Sequence, residues 1–378
     1  MNRKINVQII PLMVAVVIAL FTLWAWKLDG KSAEDFALDP NTTSVFLKSN
    51  GINIHCSTKI INDACFQDYS VKNAGERVII NLGNSQQHAI NQFKSGDETA
   101  SAIIHRENLK KGVWTVTYSQ PNANLQEHFL IYKLLSSKYN PVAILLPVFY
   151  DDMRETGIRS DLLSALNDTS SAQLLAKSEY GKTLLHKYFS KANRQENTDG
   201  LHGSLQESVE SRINNFLAEH FEIWANRPTI RADLFSLLYK IRNMIFGITP
   251  STIRREIPTN FHNNMEALSH LLEDAKLNGI TVFLYIPPIR HDMPLPYNPS
   301  EYNKFKSNIS DLSRRYTTHF MDFDNLVPGQ LWGTPDISTG EVDFMHFQGN
   351  GHRLLAEAIN NWIKLDCRGN CKRMLTNK

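Results

Sequence analysis

Two stretches of continuous apolar sequence, Val142-Ala143-Ile144-Leu145-Leu146 and Ile280-Thr281-Val282-Phe283-Leu284-Tyr285-Ile286, and a third interrupted by one amide, Val78-Ile79-Ile80-Asn81-Leu82, limit the folds open to this chain. Runs of this length, rich in β-branched side chains and ended by Gly, Asn or Pro, read as strands buried on both faces, which occur where helices cover a parallel sheet. The segments between them carry helical patterns: Leu125 to Ser137, Asn263 to Leu277 closed by Asn278-Gly279, Tyr302 to Tyr316, and Gly351 to Leu365. Gly112 to Tyr118 and His319 to Phe323 read as two further strands. Such alternation predicts an α/β fold, a parallel sheet with helices on both faces. From about 160 to 258 the pattern turns to long helical stretches around the polar break Arg194 to Gly200, which reads as a helical insertion into the sheet domain.

The first strand ends at Gly83-Asn84, and Gln86 onward suits a helix, so Ser85 is expected at a strand-to-helix turn. Unpaired N–H groups at a helix start would stabilise an oxyanion beside a nucleophilic serine. Near the other end, Asp343-Phe344-Met345-His346 can put a carboxylate and an imidazole into one pocket, the carboxylate orienting the ring towards Ser85. Gly-x-Ser-x-Gly is absent, because Gln87 stands at its last position, which argues against an α/β-hydrolase elbow. The pairing of Gly83-Asn84-Ser85 with Asp343-x-x-His346, followed by Gly351-His352 and an apolar helix, resembles the SGNH (GDSL-type) hydrolases and acyltransferases. The resemblance covers about residues 76 to 155 and 260 to 365. It implies a three-layer α/β/α, flavodoxin-like domain over 76–378 that uses Ser85, His346 and Asp343 and needs no cofactor.

The family draws further oxyanion donors from a glycine after the second strand and an asparagine after the third. This chain has Ser119-Gln120-Pro121-Asn122-Ala123-Asn124 after the one and Phe149-Tyr150-Asp151-Asp152-Met153-Arg154 after the other, with neither the glycine nor Gly-x-Asn-Asp. Asn124, or else Asn122, is the candidate amide donor; both also suit turns. Arg154, Arg159 and Arg290 are placed near strand ends, where they could hold an anionic group or form salt bridges. Trp332 could stack on a sugar ring or pack in the core, His352 opens the closing helix, and His88 is expected to orient the helix after Ser85 rather than act as base. The histidines show no tight metal-ligand spacing.

Ile9 to Trp26 is an uncharged, mostly apolar run preceded by Arg3 and Lys4 and closed by Trp24 and Trp26. With its flanks it is long enough to span a bilayer, so residues 1–28 are expected to form a transmembrane anchor with a cytoplasmic N-terminus, the rest of the chain lying outside. A cleaved signal peptide is the rival reading, but Leu23-Trp24-Ala25-Trp26-Lys27 offers no clear small-x-small cleavage site, which favours an uncleaved anchor. Residues 29–75 read as a juxtamembrane linker and a cap pinned by cysteine. Cys56 with Cys65, and Cys367 with Cys371, are two local pairs; in an oxidising compartment they suggest disulfides rather than zinc. With 40 basic and 38 acidic residues the chain has no electrostatic footprint for nucleic acid. A second, looser resemblance, to membrane-anchored SGNH-like proteins of lipoteichoic acid D-alanylation and alginate O-acetylation, implies acyl esters of a cell-envelope polysaccharide or a small acyl ester as substrate. It also implies a multi-spanning membrane-bound O-acyltransferase as partner. The other reading is a non-catalytic scaffold of the same fold that docks such a partner.

Overall fold

The computed structural model describes residues 41–49, 51–57, 77–159, 162–163, 169–189, 252–333 and 343–370. The expected transmembrane run, Ile9 to Trp26, and most of the helical insertion lie outside these residues. Among the described residues no helix is long and apolar enough to cross a membrane.

Ten strands are present among the described residues: β1 (Thr42–Ser44), β2 (Lys48–Ser49), β3 (Ile52–Asn53), β4 (His55–Cys56), β5 (Arg77–Gly83), β6 (Ala89–Asn91), β7 (Val113–Ser119), β8 (Ala143–Pro147), β9 (Thr281–Ile286) and β10 (His319–Asp322). Six of them form one sheet in the order β10-β9-β8-β5-β7-β4, and every neighbouring pair is parallel. Leaving aside the two-residue edge strand β4, the order is that of a flavodoxin-like sheet, with the chain reversing direction of travel at β5. Ligands of such sheets sit beyond the C-terminal strand ends at this switch point, and Ser85 lies two residues beyond the end of β5.

The period-two alternation of β5 assigns its residues to two apolar layers. Val78, Ile80 and Leu82 pack with α2 (Leu125–Tyr139), α5 (Pro258–Leu277) and α6 (Pro299–Tyr316). Ile79 packs on the opposite face with α1 (Ala100–Leu109) and α7 (Gly349–Asn370). The expected three-layer arrangement is therefore present. Between α2 and α5 the described part of the insertion is helical, α3 (Thr169–Leu175) and α4 (Glu179–Leu184), running into a π-helical turn at Leu185–Phe189.

Three local expectations change. The helix expected from Gln86 is a single 3-10 turn, Ser85–Gln87, after which β6 pairs antiparallel with β1. α1 follows that pair, started by Thr99, whose side chain accepts from the Ala102 N–H. Residues 42–56, read as linker and cap, supply four short strands, one of which extends the main sheet. Finally, α5, α6 and α7 start before the positions expected; prolines at the first turns of α5 and α6 fit the missing N–H of a helix start.

Candidate active site

Ser85 sits on a turn that its neighbours define. Asn84 caps the turn through its side chain, Oδ1 accepting from the Gln86 N–H at 3.0 Å. Behind it Gln87 is buried, with Nε2 donating to the Tyr285 hydroxyl (3.1 Å) and Oε1 accepting from Asn81 and Ser101. Three residues do not make a macrodipole, so the local donor for an oxyanion is the backbone N–H of Ser85 itself, which donates to nothing among the described residues.

The structure brings Ser85, His346 and Asp343 into one hydrogen-bonded chain. The Ser85 Oγ lies 2.8 Å from His346 Nε2, and His346 Nδ1 lies 2.8 Å from Asp343 Oδ2. The Asp-x-x-His spacing works because the Asp343 carboxylate closes a tight turn on itself. Its Oδ1 accepts from the N–H groups of Met345 (2.8 Å) and His346 (2.9 Å), while Oδ2 takes the imidazole and weaker bonds from Thr42 and Asn91, both at 3.4 Å. Burial alone would push the Asp343 carboxyl up; the adjacent imidazole and these N–H donors outweigh it and hold it below its ordinary value. The carboxylate thus stays ionised and fixes Nδ1 as the protonated nitrogen, leaving Nε2 to accept the serine proton. Ser85 and His346 are each 8% exposed.

Other expected site residues are used differently. Asn124 is the N-cap of α2 in a capping box with Glu127, and its Nδ2 donates to the Gly157 carbonyl at 2.8 Å; Asn122 occupies a left-handed turn position at φ 51°. Neither hydrogen-bonds Ser85 or His346, so the turn-forming reading holds for both. Both border a cavity of about 380 Å³ that also includes Glu127, Glu155 and Arg159. Arg290 is buried: its guanidinium grips Asp292 through two bonds (2.7 and 3.0 Å) and donates to the Gly333 carbonyl, bracing the chain ahead of Asp343 rather than awaiting an anion. Arg154 donates to the Arg255 carbonyl at 2.8 Å, and Arg159 pairs with Glu127. Trp332 is core, its ring edge-on to Phe347. His352 accepts from the Ala100 N–H and donates to the Ala89 carbonyl, stapling α7 to α1 and β6. His88 stacks on Phe46 and shares the buried Ser119 hydroxyl with His55, at 2.7 and 2.6 Å. Burial keeps both imidazoles neutral, His55 lowered to about 3 and His88 well below its usual value.

Cys56 is buried and disulfide-bonded; Cys65 and Cys371 lie outside the described residues, and of Cys367 only the helical backbone is described, so the pairing stays an expectation. Among the described residues no group of three or more His, Cys, Asp or Glu side chains is arranged to hold a metal ion.

Sequence reasoning missed the residue that braces the nucleophile turn from the switch point. Asp152, after β8, is 1% exposed, and its Oδ1 accepts from Asn84 Nδ2 at 3.2 Å. Burial drives its carboxyl well above the usual range, only partly offset by the Asn84 amide, so it is held neutral. A raised folded-state pKa contributes stability at acid pH that is lost as the pH climbs towards the raised value. Asp152→Asn keeps the acceptor for Asn84 and removes the ionisation. Its thermal midpoint, compared with wild type, is expected to gain as the pH climbs above the ordinary carboxylate range, where the unfolded carboxyl ionises and the buried one does not. A difference independent of pH would show that the carboxyl is not held neutral.

No family model matches the sequence, and no curated protein matches it. Among solved structures the chain is similar to a GDSL-like lipase from Bacteroides thetaiotaomicron (9% identity, 81% of this chain and 99% of that one, TM-score 0.39). It is also similar to the psychrotrophic esterase EstA from Pseudoalteromonas sp. (11% identity, 77% and 98%, TM-score 0.36). A third similar structure is an acetylxylan esterase from Geobacillus stearothermophilus (9% identity, 76% and 94%, TM-score 0.36). At these scores the likenesses carry no argument, and the functional reading rests on the side-chain geometry.

Proposed function

We propose that this chain is an SGNH-type serine ester hydrolase or O-acyltransferase working through an acyl-serine intermediate. The observation that carries the reading is the buried chain of two 2.8 Å contacts from Ser85 Oγ through His346 to Asp343 at the switch point of a flavodoxin-like sheet. Ser85 Oγ attacks the carbonyl carbon of an acyl ester as His346 Nε2 takes its proton, and the Ser85 N–H faces the negative charge that gathers on the carbonyl oxygen. Collapse of the tetrahedral intermediate breaks the ester C–O bond, and the same proton passes from Nε2 to the departing alkoxide. A second hydroxyl, from water or from an alcohol, then gives its proton to Nε2 and attacks the acyl carbon; the bond to Ser85 Oγ breaks and Nε2 returns that proton to Oγ, restoring the free serine. No cofactor enters either half. Water as acceptor makes the protein an esterase, as the similar structures are named; a glycan hydroxyl makes it a transferase.

The finer part of the reading rests on the apolar run Ile9 to Trp26 and on the second family resemblance. It is a protein held in a membrane by residues 1–28 with its main domain outside, handling acyl esters of a cell-envelope polysaccharide beside a membrane-bound O-acyltransferase.

The test is release of p-nitrophenol from p-nitrophenyl acetate by the purified protein, with a neutral oligosaccharide present and the products weighed by mass spectrometry. Release above the Ser85→Ala background is expected, with free acetate marking hydrolysis and acetylated sugar marking transfer. A folded protein no faster than Ser85→Ala would favour the scaffold reading.

A further inference from the structure

We propose that Gln86 is a positioning residue that holds the His346 turn at reacting distance from Ser85, an inference that rests on the serine-ester reading above. Gln86 is 1% exposed and directly follows the nucleophile. Its Nε2 donates to the Met345 carbonyl at 2.7 Å and to the Pro288 carbonyl at 2.9 Å. An amide nitrogen has two hydrogens, and here each is committed to a different loop: one to the residue just before His346, the other to the loop leaving β9. One side chain therefore ties together three segments that meet only in the folded protein.

The Asp343 turn is closed by bonds within itself, from Met345 and His346 to Asp343 Oδ1, so those bonds orient the imidazole but do not set its distance from Ser85. Contacts from other elements do. On one side Asn91 donates from its backbone to the Phe347 carbonyl at 3.1 Å and from its amide to Asp343 at 3.4 Å. On the other side stands Gln86, whose backbone N–H is itself fixed by Asn84. The loop holding Pro288 is joined to the same turn again by Arg290, whose N–H donates to the Phe344 carbonyl at 3.3 Å. With the Gln86 amide gone, the buried Pro288 carbonyl and the part-buried Met345 carbonyl lose this donor, and the Met345–His346 peptide is free to shift away from Ser85. A displacement of about 1 Å at reacting groups is enough to cost on the order of 100-fold in rate.

The experiment compares full-length wild type with Gln86→Met, which keeps the volume and loses both donors, and Gln86→Glu, which keeps the shape and turns oxygen towards the two carbonyls. Steady-state hydrolysis of p-nitrophenyl acetate and the rate of Ser85 modification by a fluorophosphonate are measured per folded molecule, the folded fraction being set by circular dichroism. The expected result is a fall of about 10- to 100-fold in kcat and in labelling rate, with KM changed less than about threefold. Should Gln86→Met fail to fold, Gln86→Glu carries the same comparison. Variants that melt earlier yet label as fast as wild type would make Gln86 a stabilising residue only and overturn the proposal. A folded wild type that does not label at all would instead sink the reading on which it rests.

Discussion

Asp343→Asn should lower kcat for ester hydrolysis by about 10³- to 10⁴-fold, with KM close to wild type. The variant keeps the oxygen that accepts from the Met345 and His346 N–H groups at 2.8 and 2.9 Å, so the turn survives. What changes is the atom facing His346 Nδ1 at 2.8 Å, which becomes an N–H donor. The imidazole must then carry its proton on Nε2, where it confronts the Ser85 hydroxyl and cannot accept from it. Steady-state kinetics decide the matter. A loss of less than about tenfold would mean that Asp343 does not set the tautomer.

The largest stability effect is expected at Gly83→Ala, at the end of β5. A Cβ there would stand 2.3 Å from Gln87 Cγ and 3.2 Å from its Cδ, and Gln87 is only 2% exposed. Gln87 can move aside only by giving up the Tyr285 hydroxyl, at 3.1 Å, and the Ser101 hydroxyl, at 2.8 Å. Overpacking of this kind with lost buried hydrogen bonds costs about 2–4 kcal/mol. At roughly 2–4 °C per kcal/mol for a domain near this size, the thermal midpoint should drop by on the order of 10 °C. An unchanged midpoint would show that Gln87 has room the structure does not reveal.

The parts of this molecule legible in the sequence are those governed by local pattern. β5, β8 and β9 are nearly continuous apolar runs because helices cover both faces of the sheet, and burial on two sides leaves no alternation to obscure them. Asp343 and His346 were readable as a pair because the contact between them is one tight turn. Ser85 was placed correctly at the end of its strand, but the helix after it was not. The Gln86 side chain is drawn into bonds with distant loops and that of Gln87 into one with Tyr285 on β9, and β6 pairs with β1, none of which leaves a mark in local propensity. The same holds for Asp152, whose partner Asn84 lies across the switch point between β8 and β5. Arg290 was open to a better reading, since Asp292 lies two positions on and takes both of its bonds. Thr99 ahead of Ile103-Ile104 was likewise an available start signal for α1.

The most direct test of the reacting chain from Ser85 to Asp343 is covalent trapping. The purified protein is treated with a fluorophosphonate, digested, and the modified peptide sequenced by mass spectrometry. A single adduct is expected on Ser85, absent in Ser85→Ala and strongly slowed in His346→Ala. A folded wild-type protein that gains no adduct, or gains it on another serine, would contradict the account.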